Sequence, residues 1–568
     1  MGRMGGTASR TGMRARCARR ATGRLAIAGA ATLALVAGTS AAAAPAAQAS
    51  TTETVIVSSD GPLSPVTAVL SVLGTVVTQF HLIDAVEATI PTAAQGLLDL
   101  LPGITVTPDV SVSVQSTTTE STGPHTPSDS FLQQTGADTL AAGGDTGQGV
   151  TVAVLDTGID NLPDFSGRLI GGVDLTGAGT PFSDQYGHGT FVAGLIAGDG
   201  ASSGGQYSGE APGANLVSIK VAGASGSTDL GTLISGLQWA VDHESADNIK
   251  VLNISLGFQP FESTVLNPLD QAVEAAWDSG ITVVTSAGNA GPSDGTILSP
   301  GDDPMVITVG ALDDLAQPAV SDDEMNDFSS VGPTAPDGWA KPDLVTSGRS
   351  VVSLAAPGST IYDDNPSARV GSANFVGSGT SFSTAIASGA AALILSDHPG
   401  LTPDQVKARL LGTTDAGPVG NPFVDGHGAL NAHAAATAGP MNFNQSALLI
   451  VPTLAGQTVS LSPLRGISTW NASRWSGTPW SAGSGGGSGG SQNGVAWDGV
   501  NLSGSGWTGS AWNGWAWTGS AWNSGAWTGS AWNSGSWTGS AWNGSGWTGS
   551  AWNGAAWTGS AWNNSAWD

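Results

Sequence analysis

The chain of 568 residues contains one cysteine and few basic residues. The cysteine, Cys17, lies in an arginine-rich N-terminal stretch, so the residues after that stretch have no disulfide and no thiol nucleophile. A cysteine protease is therefore excluded. The chain has 17 basic and 44 acidic residues, which gives a formal net charge of -27. A chain this acidic is repelled by phosphate backbones, and this argues against nucleic-acid binding.

The first 49 residues have the pattern of an export signal. Seven of the basic residues fall within the first 24 positions, and no acidic residue precedes Ser50. An apolar run from Leu25 to Ala37 follows, and Ala47-Gln48-Ala49 resembles a cleavage site. The run is too short and too rich in alanine to span a membrane. We expect a protein that is secreted or associated with the cell envelope, and Arg19-Arg20 leaves both the general and the twin-arginine export routes open.

The length predicts two or more folded units after this signal. Residues 50–118 form the first, which we call the N-terminal segment. It alternates strand-like and helix-like runs, namely Thr54–Val57, Ser64–Leu73, Pro91–Leu101 and Ile104–Val114. A stretch rich in serine, threonine and proline, residues 116–130, then reads as an exposed and cleavable linker.

Residues 119–438, the central domain, alternate short apolar strands with amphipathic helices. The predicted strands are Val150–Leu155, Leu216–Val221, Lys250–Leu256, Ile281–Ser286 and Met305–Val309. One helix is predicted over Asp229–Glu244, and a second begins behind Asn267 and ends at Gly280. This alternation indicates an α/β fold with a parallel sheet covered on both faces.

The C-terminal part differs in composition from the rest of the chain. After a linker over residues 439–495, residues 496–568 form a tail in which tryptophan recurs every five residues from Trp507 to Trp567. Three interpretations stay open. They are a low-complexity stalk, a β-solenoid with stacked rings, and a module that binds cell-envelope glycans.

Three separate motifs in the central domain carry residues suited to catalysis. They are VAVLDTGID with Asp156, YGHGTFVAGLIAG with His188, and GSGTSFSTAIASGAAALIL with Ser381. Asp156 ends an apolar strand, and glycines on both sides of His188 predict an accessible ring. Ser381 stands where a glycine-containing turn becomes a helix, which predicts an exposed hydroxyl. Taken singly, His188 could be a zinc ligand and Ser381 a helix cap.

Together and in this order, the motifs resemble those of the subtilase family of serine proteases. The resemblance covers roughly residues 130–438 and implies the catalytic triad Asp156, His188 and Ser381. It also implies Asn289 as a donor in the oxyanion hole. The implied substrate-binding residues are Ser255, Leu256, Gly257, Ala287 and Gly288.

The resemblance also implies the architecture, a subtilisin-like three-layer domain with a mainly parallel sheet, behind a small α+β inhibitory propeptide over residues 50–118. It implies peptide or protein substrates, a monomer and no cofactor for the chemistry, and it leaves room for a structural calcium ion. Asp164 lies near the place of a calcium ligand in some relatives, but we expect a solvated surface acid there. Leu298 predicts a partly filled pocket that favours small side chains.

The chain departs from the family pattern where Ala385-Ile386 replace the usual proline and histidine after the nucleophile. The proline shapes the start of the helix and does not react, so we expect activity to survive. The alternative is an inactive cell-surface adhesion protein on a subtilase scaffold. That protein would not release its own N-terminal segment.

Overall fold

The computed structural model describes residues 51–59, 61–98, 101, 103–114 and 129–439, and it describes the backbone alone for several short strands after residue 452. The predicted export signal and the 116–128 part of the linker lie outside the described residues.

The N-terminal segment forms a four-stranded antiparallel sheet with helices. Its elements are β1 (Thr52–Ser59), α1 (Leu63–Leu73), β2 (Thr75–Gln79), β3 (Ala85–Pro91), α2 (Thr92–Leu98) and β4 (Ile104–Pro108). The strand order is β2-β3-β1-β4. A small core of its own includes Val55, Val57 and Ile90. The sequence missed β2 and β3, and the predicted strand over Ile104–Val114 is two strands, β4 and β5 (Ser111–Val114).

The central domain is built on an eight-stranded sheet, which confirms the predicted α/β architecture. Its strands are β6 (Thr151–Asp156), β7 (Leu169–Asp174), β8 (Asn215–Lys220), β10 (Ile249–Ile254), β12 (Thr282–Ser286), β13 (Ile307–Asp313), β14 (Glu324–Met325) and β15 (Leu344–Ser347). The order is β14-β13-β12-β10-β6-β8-β7, and β15 also pairs with β13. All pairs are parallel except β13 with β14.

Helices cover this sheet, and two of them are almost entirely buried. The helices of the domain are α3 (Phe131–Thr135), α4 (Ala137–Ala142), α5 (His188–Ala197), α6 (Leu230–Asp247), α7 (Pro268–Ser279), α8 (Thr360–Asp364), α9 (Thr380–Asp397), α10 (Pro403–Gly412) and α11 (Ala432–Thr437). Every residue of α5 is buried, and so are those of α9 from Thr380 to Leu395. Such helices pack closely because their small residues let the backbone approach the sheet.

The two helices predicted from sequence are present with their caps. Asp229 accepts a hydrogen bond from the Thr232 backbone N–H at the start of α6. Asn267 does the same for Leu269 at the start of α7, and Gly280 ends that helix in a left-handed conformation. Both cap side chains satisfy N–H groups that have no partner within the helix.

Two small sheets lie outside the main one. In the first, β5 pairs with β9 (Ser227–Asp229) and β11 (Leu256–Gly257), both antiparallel. In the second, β18 (Asn374–Gly377) pairs with β16 (Val351–Leu354) and β17 (Arg369–Val370). The chain runs from β18 directly into α9.

Short strands are also described after the central domain. β19 (Thr453–Leu454) pairs with β20 (Gln457–Thr458). In the tail, six seven-residue strands form two parallel three-stranded sheets, and alternate strands pair in register. They are β21 (Trp507–Asn513), β22 (Trp517–Asn523), β23 (Trp527–Asn533), β24 (Trp537–Asn543), β25 (Trp547–Asn553) and β26 (Trp557–Asn563). This connectivity is that of the solenoid interpretation, which stays a prediction along with the other two.

Among the described residues, no helix combines the length and the hydropathy needed to cross a membrane.

Candidate active site

Asp156 and His188 form a buried pair at the carboxyl end of the central sheet. Asp156 is the last residue of β6, and His188 is the first residue of α5. Nδ1 of His188 lies 2.8 Å from Oδ1 and 2.9 Å from Oδ2 of Asp156. Since a carboxylate only accepts, this contact assigns the ring proton to Nδ1 and makes Nε2 the basic nitrogen. Nε2 is buried and has no hydrogen-bond partner within the described chain.

The backbone around His188 explains why glycines lie on both sides of it. Gly187 caps α5 with a φ of 104°. A Cβ at Gly189 would overlap the carbonyl oxygen of Gly158, so only glycine fits there. The Thr157 hydroxyl accepts from the Gly189 N–H at 2.9 Å and donates to Asp184 at 2.8 Å.

Asp184 itself accepts from the N–H groups of Gly187 and Thr190 at the start of α5. Its complete burial raises the pKa of its carboxyl. Thr157 and Asp184 therefore fix the position of His188, and sequence reasoning missed both. The one signal for Thr157 was that it directly follows the motif aspartate.

Ser381 is the second residue of α9 and follows a turn at Gly379, whose φ is 157°. Its Oγ donates to the carbonyl oxygen of Ser255 at 3.3 Å, and the Ser255 hydroxyl donates to the Ser381 carbonyl at the same distance. The next side chain, Phe382, lies against the imidazole, with ring centroids 5.7 Å apart.

The expectation that His188 and Ser381 are accessible is wrong for this state of the chain. The exposed fraction is 1% for His188 and 0% for Ser381. Phe382 packs on the imidazole, and the chain's own strand β5 lies between β9 and β11 in the neighbouring groove. The flanking glycines alone do not decide exposure, because side chains from other elements cover the site.

Asn289 lies beside the start of α9 and is held through its oxygen. Oδ1 accepts from both the N–H and the hydroxyl of Thr380, each at 2.9 Å. Its Nδ2 is buried without a hydrogen-bond partner in the described residues. Thr380 also accepts from the Gly288 N–H at 3.2 Å. The arrangement turns the amide NH₂ of Asn289 away from its anchor, and the first N–H groups of α9 favour negative charge nearby.

A buried chain of hydrogen bonds links helix α9, which carries Ser381, to strand β10 and Ser255. Ser388 on α9 donates to Oδ1 of Asn253 at 3.0 Å, and Nδ2 of Asn253 donates to the Ser255 hydroxyl at 3.0 Å. Sequence reasoning missed Asn253 and Ser388. An amide inside the apolar run of β10 was the available signal, since a buried polar group needs partners.

Two of the predicted substrate-binding residues, Leu256 and Gly257, form one side of a groove that holds β5. Ser113 and Val114 of β5 pair with Gly257 and Leu256, and the Val114 N–H donates to the Gly226 carbonyl at 3.0 Å. On the opposite side, Ser111 to Ser113 pair with β9. The groove therefore binds an extended backbone as the middle strand of three.

Leu298 partly fills the space next to this groove. A Cβ placed at Gly288 would come within 2.6 Å of its Cγ, and one at Gly257 within 3.1 Å of its Cβ. The Leu298 N–H donates to the Ala287 carbonyl at 3.0 Å, which fixes the side chain there. Ala287 and Gly288 therefore lie in contact with Leu298.

Among the described residues, no group of three or more His, Cys, Asp or Glu side chains is arranged to hold a metal ion. The prediction that Asp164 is a solvated surface acid is wrong. Asp164 is fully buried and accepts hydrogen bonds from the Ser202 N–H at 3.0 Å and from the Ser202 hydroxyl, because the 201–203 turn folds over it.

A buried Asp156–His188 pair at the carboxyl end of a mainly parallel sheet, with Ser381 at the start of the buried helix α9, is the arrangement expected of a subtilisin-type α/β domain. Residues 147–448 match the model of the subtilase family, and the chain belongs to this family.

Several known proteins are similar to the central part of the chain. The serine protease AprX of Bacillus subtilis (strain 168) is 46% identical over 293 residues, which cover 50% of this chain and 66% of AprX. Subtilisin NAT of Bacillus subtilis subsp. natto is 38% identical over 309 residues, which cover 54% of this chain and 70% of that protein.

Among solved structures, fervidolysin from Fervidobacterium pennivorans is similar with a TM-score of 0.55 and 22% identity. The match covers 71% of this chain and 62% of fervidolysin, and it supports the fold.

Proposed function

We propose that the chain is a secreted serine endopeptidase that cleaves peptide bonds through an acyl-enzyme intermediate. The observation that carries this proposal is the buried contact between Asp156 and His188, beside the nucleophile position Ser381 at the start of α9. The homologous subtilisins and AprX support the same reaction class.

In this mechanism the Ser381 hydroxyl oxygen attacks the scissile carbonyl while Nε2 of His188 takes its proton. The imidazolium then gives that proton to the leaving amine, and a water molecule hydrolyses the acyl-enzyme by the same route. Asp156 holds the Nδ1 proton and stabilises the imidazolium. None of these steps calls for a cofactor.

The oxyanion of the tetrahedral intermediate would be stabilised by Nδ2 of Asn289 and the Ser381 backbone N–H. Thr380 supports this role because it fixes the oxygen of the Asn289 side chain and leaves the NH₂ group for another acceptor. Such a donor is effective because it is already oriented and removed from water.

The N-terminal segment would act as an inhibitory propeptide that the enzyme removes itself. Its strand β5 occupies the groove in the extended form expected of a substrate, and Val114 pairs with Leu256. Val114 thus lies opposite the neighbour of Ser255, whose carbonyl is 3.3 Å from the Ser381 Oγ. We therefore propose that self-cleavage occurs in or near the 116–130 linker.

Other parts of the proposal rest on the sequence. They are export through the 1–49 signal, a monomeric enzyme, and protein or peptide substrates. The tail would bind cell-envelope glycan, because exposed aromatic rings stack on sugar faces. A variant that ends at Pro440 tests this last point. It should cleave protein as the full chain does but should no longer bind isolated cell envelopes, and retained binding would contradict the glycan role.

The experiment that tests the whole proposal compares residues 50–568 with the same chain carrying Ser381→Ala. Both are expressed and followed by intact mass and N-terminal sequencing. We expect only the chain with Ser381 to lose a fragment that ends between about residues 115 and 130. A fluorophosphonate probe should label that chain and leave Ser381→Ala unlabelled.

Two results would overturn the proposal. The first is a pre-cleaved chain with intact Ser381 that neither hydrolyses casein nor takes the fluorophosphonate label. The second is equal loss of the fragment from both chains, because the cut would then come from another protease.

A further inference from the structure

The N-terminal segment contacts the central domain along α6. The Asp109 carboxylate accepts from the Gly231 N–H at 3.0 Å, and the Val110 carbonyl accepts from the Leu230 N–H at 3.1 Å. Further along the helix, Oε1 of Gln238 accepts from the His81 N–H at 2.7 Å. These contacts add to the pairing of β5 in the groove.

Three carboxyl groups meet at the start of this helix. Glu87 of β3 is buried against Gly231, since a Cβ there would lie 2.6 Å from its Oε2. Asp109 from the loop after β4 and Asp229, the cap of α6, are the charged groups that face Glu87, and the Thr78 hydroxyl on β2 is its remaining polar neighbour. No cation is among these neighbours.

The N-terminal segment and the central domain are both rich in acidic residues and poor in basic ones. Residues 51–114 contain six acidic residues and neither lysine nor arginine. Residues 129–439 contain 35 acidic and 8 basic residues. Two surfaces with the same sign of charge repel each other, and dissolved salt screens that repulsion.

We propose that ionisation of Glu87 and Asp109, beside the charge of Asp229, controls the docking of the N-terminal segment on the central domain. Docking is tight in acid and loosens toward neutral and alkaline pH, and added salt relieves the part of this loss that comes from repulsion between charges. The consequence for activity rests on the proposed function. The groove would stay occupied after self-cleavage in acid and would open at neutral pH.

The direction follows from the protonation of the docked state. Burial, and then the charges of Asp109 and Asp229, raise the pKa of Glu87 to about 7. Burial also raises the pKa of Asp109. A carboxyl whose pKa is raised by docking favours the docked state below its ordinary pKa, and this preference is lost as the pH rises through about 7.

One more contact joins the N-terminal segment to α6. Nε2 of His81 lies 3.0 Å from Oδ1 of Asp242. The pair is exposed to solvent, so it contributes less to docking than the buried contacts.

The experiment uses the full chain with Ser381→Ala, so its result does not depend on catalytic turnover. Hydrogen exchange read by mass spectrometry gives the opening equilibrium of the amides at the start of α6, corrected for intrinsic exchange and referred to peptides of β10. Measurements run from pH 5 to pH 8, in 20 mM and 500 mM sodium chloride. We expect opening at pH 8 and low salt to exceed that at pH 5 by about tenfold or more.

That value is set below the roughly seventyfold that the full shift of Glu87 would allow between pH 5 and pH 8, because part of its burial already exists within the N-terminal segment alone. Added salt should bring the opening at pH 8 back toward the value at pH 5. Glu87→Gln should flatten the pH dependence. Asp84→Asn, which removes the same charge from an exposed position of the segment, should leave it in place.

Opening that is equal at pH 5 and pH 8, or that increases with salt, would overturn the proposal. So would equal effects of Glu87→Gln and Asp84→Asn. If Glu87→Gln fails to fold, Asp109→Asn replaces it, since its oxygen still accepts from Gly231. Gel filtration of the self-cleaved chain at both pH values then gives the functional readout. An enzyme that never cleaves itself would contradict the proposed function without changing the exchange result.

Discussion

His188 directs Nδ1 at both carboxylate oxygens of Asp156, at 2.8 and 2.9 Å, and both side chains are buried. The contact fixes the ring and its tautomer with an ionic acceptor. An amide in place of the carboxylate would keep the shape but present an NH₂ donor or a neutral oxygen to Nδ1.

Asp156→Asn should therefore lower kcat by about ten-thousandfold with little change in KM, because the wrong tautomer is favoured and the imidazolium loses its counter-charge. Steady-state hydrolysis of a peptide nitroanilide measures this. Asp199→Asn, at an exposed position of the same domain, is the control and should retain activity. A loss below about tenfold for Asp156→Asn would remove Asp156 from the mechanism.

Asn289→Ala should lower kcat by about 100- to 1,000-fold and leave KM nearly unchanged, because the lost hydrogen bond is strongest in the transition state. Thr380→Val keeps the shape and removes one of the two hydrogen bonds to the Asn289 oxygen, and it should give a smaller loss. A rise in KM at constant kcat for Asn289→Ala would instead indicate a role in ground-state binding.

Leu298→Ala should shift specificity toward larger side chains at the residue before the cut. The leucine lies against Gly257 and Gly288, and its removal enlarges the pocket between them. We expect kcat/KM for phenylalanine relative to alanine to rise about tenfold or more, measured with matched peptide substrates. Leu298→Met conserves volume and should change this ratio little. An unchanged ratio in Leu298→Ala would place the pocket elsewhere.

We expect Glu210 to make the stability of the fold depend on pH, and we expect a neutral side chain at this position to remove that dependence. The Cβ and Cγ atoms of its side chain pack against Gly389 of α9, and burial raises the pKa of its carboxyl well above the ordinary value, which the nearby Thr135 hydroxyl only partly offsets. The folded state therefore favours the protonated acid. Its stabilising contribution is complete below the ordinary pKa and is lost as the pH rises.

Glu210→Gln should gain stability over the parent by up to about 1.4 kcal/mol for each pH unit above pH 5. Urea unfolding in the Ser381→Ala background, which prevents self-digestion, measures the difference at pH 5, 6, 7 and 8. A difference that stays constant across this range would show that Glu210 does not titrate between the folded and unfolded states.

Asp343→Ala should destabilise the fold by about 3–5 kcal/mol, because it leaves two buried ammonium groups without their counter-charge. Asp343 lies 2.7 Å from Nζ of Lys341 and 3.2 Å from Nζ of Lys407. Burial acts to raise its pKa, but Lys341 and Lys407 hold that pKa below the ordinary value. Its contribution is thus present at neutral pH and is lost in strong acid.

The same urea unfolding measures Asp343→Ala, at pH 7. Asp363→Ala is the matched control, since Asp363 pairs with Arg369 at 3.8 Å at the surface, and it should change stability by less than about 1 kcal/mol. Similar effects of the two variants would mean that water reaches the buried lysines.

Local patterns predicted most of the central domain. The helical face beginning at Leu230 and the cap at Asn267 match α6 and α7, because periodicity and capping act within a few residues. The strand β3 was missed because Glu87 interrupts its apolar run, and only the contact with α6 explains a buried acid there. The 201–203 turn buries Asp164 in the same way, through a contact that no local pattern contains.

In the candidate site, too, local motifs were predictable and contacts between distant elements were not. Motif glycines and the order of the motifs indicated Asp156, His188 and Ser381, and the resemblance to the subtilase family implied Asn289. Asn253, Ser388, Thr157 and Asp184 act on these residues from other elements, through hydrogen bonds that depend on how the sheet and the helices meet. A single sequence does not carry that information.

The pairing of β5 between β9 and β11 has a consequence for the choice of target. Once that strand leaves, two unsatisfied backbone edges face each other, and they can be completed only by another chain that offers its own amides in extended form. A helix or a compact domain cannot enter such a slot without first unravelling locally. We therefore expect the enzyme to cleave unfolded, damaged or loosely structured proteins and to leave well-folded proteins, including its own folded domain, uncleaved.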